Sequence, residues 1–110
     1  MTNGVGSSLL AGTDFAEGVG ERATLVQFSS AFCAPCRATR RILADVAQLV
    51  PGVAYVEVDA ESQLALVRRL GIVATPTTLV LDSQGVEVER ATGAPTKGQV
   101  LAALDRAVSR

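Results

Sequence analysis

The apolar positions of this chain change their period several times, and each change marks an element. Residues 24–28 (TLVQF) form a short, mostly apolar run, the pattern of a strand covered on both faces of a sheet. From Cys36 onward the period becomes helical: Ile42, Val46, Leu49 and Val50 recur beside the polar Arg37, Arg40, Arg41 and Asp45. Pro51 and Gly52 end this helix. A second strand, rich in β-branched residues, is predicted over 53–58 (VAYVEV), and Asp59 opens a loop. Residues 63–70 return to helix, with Ser62 as the expected cap and Gly71 at the closing position.

This order of strand, helix, strand and helix argues for parallel pairing with right-handed crossovers. Beyond Pro76 the pattern differs. Runs 77–81 and 86–90 flank Asp82, Ser83, Gln84 and Gly85, and the second run alternates apolar with charged residues, which predicts a hairpin with a half-exposed outer strand. Thr96 followed by Gln99 forms a capping-box pattern, and Val100, Leu101, Leu104 and Val108 mark the expected buried stripe of a last helix. Asp14 and Glu17 sketch a short first helix.

Splitting 110 residues would leave each half too small to bury an adequate core, so one α/β domain is expected over 1–110, with 1–20 as an atypical N-terminal segment. A hydrophobic share of 48% suffices to offset the conformational entropy lost on folding. Ten basic against eleven acidic side chains give no overall field to hold nucleic acid or an anionic membrane. The first dozen residues lack the basic-then-apolar order of a secretory signal, and the apolar runs are too short to span a bilayer. The default expectation is a cytoplasmic protein; the alternative is an extracytoplasmic soluble domain cut from a membrane-tethered parent.

Two cysteines, no histidine and one methionine restrict the chemistry further. A closed zinc site takes about four ligands, of which two thiols are half, and a disulfide framework is excluded by count. No metal site is expected. What remains is Cys33 and Cys36, placed where the first clear strand becomes a helix. Free N–H groups and the positive end of the helix dipole favour thiolate at the first turn, which makes Cys33 the candidate nucleophile. One turn later Cys36 returns to the same face as the candidate resolving thiol. Pro35 suits the first turn because its missing N–H is not needed there. The plainer alternative is an inert short-range disulfide, or two thiols used for packing.

The segment over about 25–106 resembles the thioredoxin family, whose motif reads W-C-G-P-C-K where this chain has FCAPCR. Thr75, Pro76 and Thr77 fall where the family places a cis-proline loop opposite the cysteines, and Gly93, Ala94, Lys97, Gly98 and Gln99 lie close to another recurring string. The resemblance implies a thioredoxin fold, with a central mixed sheet of four to five strands flanked by helices. It implies a thiol:disulfide oxidoreductase that acts on protein disulfides, as a monomer. No bound cofactor is required, and a thioredoxin-reductase-like or membrane electron donor recycles the pair. With Pro76 cis, as the resemblance implies, rather than in an ordinary trans turn, Thr75 would offer its backbone beside Cys33 to an extended substrate, with Phe32, Pro35 and Pro76 in the same binding surface.

Against the family pattern, Gln27 stands where a buried Asp is usual beneath the resolving cysteine, and Tyr55 replaces a Lys that pairs with it. An amide cannot take a proton from Cys36, so either water or the neighbouring thiolate serves, or Gln27 only hydrogen-bonds locally. Phe32 for Trp and Ala34 for Gly leave an apolar but less bulky surface. Arg37, with Arg40 and Arg41, is either a source of local positive charge that favours thiolate or simply a solvated helix face. These departures keep a second function open: a thioredoxin-like peptide-binding or chaperone module without redox turnover. A third, a metal or iron–sulfur centre bridging two chains through one thiol each, follows only from the cysteine count.

Overall fold

The computed structural model describes residues 8–109. Strand β1 (Ala23–Ser29) is the axis of the molecule, with every residue buried. It pairs in parallel with β2 (Val53–Asp59) on one side and antiparallel with β3 (Thr77–Asp82) on the other. β4 (Glu87–Thr92) closes the hairpin and forms the far edge, so the four strands run β2-β1-β3-β4. Helices α1 (Ala34–Leu49), α2 (Leu64–Leu70) and α3 (Lys97–Val108) complete the α/β architecture. The sheet is mixed because α1 carries the chain back to the same end to start β2 in parallel, whereas the short turn at 83–86 reverses β3 into β4. No helix among the described residues is long and apolar enough to cross a membrane.

Strand periodicity divides the apolar side chains between two cores. Val26, Phe28, Val58, Leu79 and Leu81 face α2 and the N-terminal segment, where Leu10 is fully buried. Leu25, Val80, Leu43, Val46, Val100 and Leu104 fill the other face under α1 and α3. Alternation along β1 therefore puts Gln27 on the α1 side, directly below the start of that helix.

Several local expectations are corrected. Ser62 does not cap α2; Gln63 holds that position without a side-chain bond, and the Ser62 hydroxyl donates back to the Asp59 carbonyl at 3.3 Å. Asp59 Oδ1 also accepts the Glu61 N–H at 2.9 Å, and this tight turn delays the helix. Leu49 and Leu101 are exposed, 62% and 40%, rather than buried. The contact face of α3 is Val100, Ala103, Leu104 and Ala107, because small alanines let the helix approach the sheet closely and turn Leu101 outward. Near the N-terminus the described residues form a 3-10 turn over Ala16–Gly18, with Phe15 rather than Asp14 as its N-cap. Thr13 organises it by donating to the Leu10 carbonyl and accepting from the Phe15 N–H. Residues 1–7 of the segment read as atypical lie outside the described residues. Gly71 behaves as expected, closing α2 with a left-handed φ of 68° that a side chain would resist.

Candidate active site at the β1–α1 junction

β1 ends at Ser29, and a short loop carries the chain to Cys33, the N-cap of α1. The Cys33 sulfur accepts the Cys36 N–H at 3.2 Å, and its carbonyl accepts the N–H groups of Cys36 and Arg37 at 3.1 and 3.3 Å. Cys33 and Cys36 are joined as a disulfide, with Cα atoms 5.2 Å apart. Access to the two sulfurs differs: Cys36 is 1% exposed, whereas Cys33 is partly open to solvent. An external sulfur can therefore meet Cys33 and not Cys36.

Phe32 stands fully exposed with φ of 58°, a left-handed conformation that is uncommon for a bulky side chain and is found mostly where function holds it. Ala34, Pro35 and Arg37 are exposed on the first turn. The loop before β3 faces this junction. The β1–β3 register ends with Phe28 opposite Thr77, and continuing it sets Ser30 opposite Thr75, whose hydroxyls are 2.8 Å apart. The Thr75–Pro76 bond is cis, and the Pro76 carbonyl accepts the Gly93 N–H at 2.8 Å. No hydrogen bond among the described residues engages the backbone N–H or C=O of Thr75. Val73, two residues earlier, is 89% exposed; as one apolar residue in a loop, it gave no periodic signal in the sequence.

Beneath the pair, fully buried Gln27 donates from Nε2 to the Cys36 carbonyl at 2.8 Å and accepts from the Tyr55 hydroxyl at 2.7 Å. Tyr55 is thus a hydrogen-bonding partner as well as a packing residue. Burial, and then the nearby Glu57 charge, push the Tyr55 phenol up to about 12, with Arg40 opposing. Arg40, one turn beyond Cys36, clamps Glu57 with bonds of 2.6 to 3.0 Å, and Ser29 donates to the same carboxylate at 2.7 Å. The Arg40 hydrogen bond holds the Glu57 carboxyl below its ordinary range, against the effect of burial. Ser29 and Glu57 were not singled out from sequence, since only the β1–β2 register and the packing of α1 bring them together. No group of three or more His, Cys, Asp or Glu among the described residues is placed to hold a metal ion.

A strand-to-helix cysteine pair facing a cis-proline loop across a mixed sheet invites comparison with known proteins, and the sequence model of the Thioredoxin family matches residues 7–106. The chain belongs to the thioredoxin family. Over 74 residues it is 35% identical to Thioredoxin H-type 1 of Nicotiana tabacum, a stretch covering 67% of this chain and 58% of that protein. The thioredoxin of Chlamydia trachomatis is 27% identical over 93 residues, covering 84% of this chain and 90% of that one. Among solved structures, thioredoxin NaTrxh of Nicotiana alata superposes with a TM-score of 0.70 at 26% identity, over 79% of this chain and 74% of that chain. The thioredoxin of Fasciola hepatica gives 0.71 at 26% identity, over 84% and 86%. This thioredoxin-family chain spans less than two thirds of the tobacco relative and most of the chlamydial one. Its membership and the disulfide-forming pair support thiol–disulfide oxidoreductase chemistry in general terms.

Proposed function

We propose that the protein exchanges dithiol for disulfide with protein substrates, with Cys33 as nucleophile and Cys36 as resolving thiol. The observation that carries this is the unequal setting of the two sulfurs: one at a helix N-cap receiving an N–H and open to solvent, the other buried a turn away. N–H donors and the helix dipole stabilise negative charge on Cys33 in the reduced form. Its thiolate attacks a substrate disulfide, forming a mixed disulfide and expelling one substrate thiolate. Cys36 then attacks the Cys33 sulfur, the electron pair of the breaking bond leaves with the second substrate sulfur, and the protein disulfide forms. Both electrons are held by the sulfurs, so the reaction requires no bound cofactor, and a separate reductase restores the dithiol.

The unpaired backbone of Thr75 supports recognition of an extended segment by strand-like pairing, a mode that tolerates many sequences. Phe32 and Pro35 supply an apolar border, while Ala34 and Arg37 on the first turn shape the surroundings of Cys33. We place the protein as a monomeric reductant of a reducing compartment such as the cytoplasm.

Reduction of insulin by dithiothreitol tests this. Cys33→Ser abolishes nearly all turnover, and Cys36→Ser accumulates mixed disulfides with client proteins. Turnover by Cys33→Ser equal to that of the unmodified protein overturns the proposal. Clients retained by a variant lacking both cysteines would identify a binding module instead.

A further inference from the structure

Most buried polar side chains of the described residues are accounted for. The Thr24 hydroxyl accepts from Gly20, Ser29 donates to Glu57, Thr77 donates to Ala74, and Gln27 has partners at both ends of its amide. The hydroxyls of Thr39 and Thr78, 0% and 2% exposed as residues, are buried and have no partner among the described residues. Such groups are costly to leave dry, and buried polar groups without a protein partner are commonly satisfied by an internal water.

Both threonines belong to elements that Gln27 joins. Thr78 is its cross-strand partner in the β1–β3 ladder, so the two side chains leave the same face of the sheet as close neighbours. Thr39 lies one helical turn beyond Cys36 on the buried face of α1, and helical side chains lean toward the N-terminus, over the turn whose carbonyl Gln27 grips. Thr78 also lines a cavity of about 410 Å³ between β4 and α3, which opens toward solvent beside the Glu89–Arg106 ion pair.

We infer that Thr39 and Thr78, with the spare capacity of the Gln27 amide, hold an internal water beneath the resolving cysteine, and that this water takes the Cys36 proton. The inference rests on the redox function proposed above. The Gln27 amide can hydrogen-bond but cannot pass a proton on to solvent, as a water can, and the phenol of Tyr55, pointed at Gln27, is a donor there. During resolution the Cys36 S–H bond breaks and its proton passes to the water, and from there to solvent along the Thr78 side. The Cys33–Cys36 bond forms as the bond from Cys33 to substrate breaks, and the departing thiolate takes up a proton from solvent. Thr39 and Thr78 are positioning residues, since they act through the water.

Reduced protein mixed with Ellman's reagent tests this, because the first thionitrobenzoate released reports attack by Cys33 and the second reports resolution by Cys36. Replacing both Thr39 and Thr78 with Val keeps shape and removes the hydroxyls. The expected result is a second phase about tenfold slower, loss of its solvent deuterium isotope effect, and a first phase within about twofold of the original. Thr39→Ser and Thr78→Ser, which keep the hydroxyls, retain the original second phase. An unchanged second phase together with a raised Tm overturns the inference, since it marks the hydroxyls as dry packing groups. Should the double variant fail to fold, the unmodified protein decides: a second phase without a solvent isotope effect overturns the inference. A normal first phase with no second release removes the proposed redox function along with it, whereas a slowed second phase in the Val variant supports both.

Discussion

The hydroxyl of Tyr55 meets the Gln27 side-chain oxygen at 2.7 Å, across the paired strands β1 and β2. The same amide reaches the Cys36 carbonyl, so one neutral contact ties the middle of the sheet to the first turn of α1. A neutral amide and a phenol that ionises only at high pH fix this turn without adding a charge below the resolving cysteine. The contrast with a buried carboxylate is one of titration: nothing in this pair changes protonation between acid and mildly alkaline pH.

Tyr55 is the one tyrosine of the chain and there is no tryptophan, so tyrosinate absorbance reports it alone. Its titration midpoint is expected near 12, against an ordinary value of 10.0. Because the folded-state value is the higher one, the associated stability is complete below the unfolded value and declines as pH rises through the folded one. A reversible midpoint at the ordinary value in folded protein would show that the phenol is not held as described.

Gln27→Asp introduces a carboxyl at a fully buried site, beside the Cys36 carbonyl and the Tyr55 hydroxyl, with the Arg40–Glu57 pair beyond. Burial raises the pKa of such a carboxyl, so the variant is most stable at low pH and loses stability as pH rises through the raised value. The pH profile of the second thiol release should gain an ionisation that the unmodified protein lacks. An identical profile would show that this position is uncoupled from Cys36.

Phe32→Ala removes a ring that makes no buried contact, and stability should move by less than about 0.5 kcal/mol. If the ring borders the substrate site, KM for a disulfide-bonded protein rises several-fold with kcat preserved, while reactivity toward a small disulfide is unchanged. Equal KM values for the two proteins would exclude the ring from recognition.

Thr96→Ala breaks a capping box in which the Thr96 hydroxyl accepts the Gln99 N–H at 3.1 Å and Gln99 accepts the Thr96 N–H at 2.9 Å. The expected loss is about 1 kcal/mol in a urea titration, with single-turnover rates intact. A midpoint that does not move would mean that the N-terminus of α3 is held mainly by its packing against β3 and α1.

Elements that rest on local chemistry were legible along the chain. The apolar run of β1, the Thr96–Gln99 box, the Gly71 closure and the position of Cys33 and Cys36 at a strand–helix boundary all follow from side-chain type and spacing. The two misplaced leucines have a common cause. Leu101 and Leu49 satisfy the period and yet point outward, because Ala103 and Ala107 in α3 and Cys36 and Thr39 in α1 make the close contacts. Periodicity records where apolar residues recur, and it is insensitive to which face a neighbour can approach closely.

By itself, the sequence determined the cysteine spacing, the helix N-terminus that receives it and the two apolar faces of the central strand, since each depends on interactions within a few residues. Tertiary structure alone decided that Gln27 grips the Cys36 turn, that Tyr55 and not a charge supports it, that Ser30 meets Thr75, and that Thr78 stands opposite Gln27 in the sheet. Those contacts join residues 9 to 51 positions apart, and they exist only once strand register and helix packing have fixed four separate segments against one another.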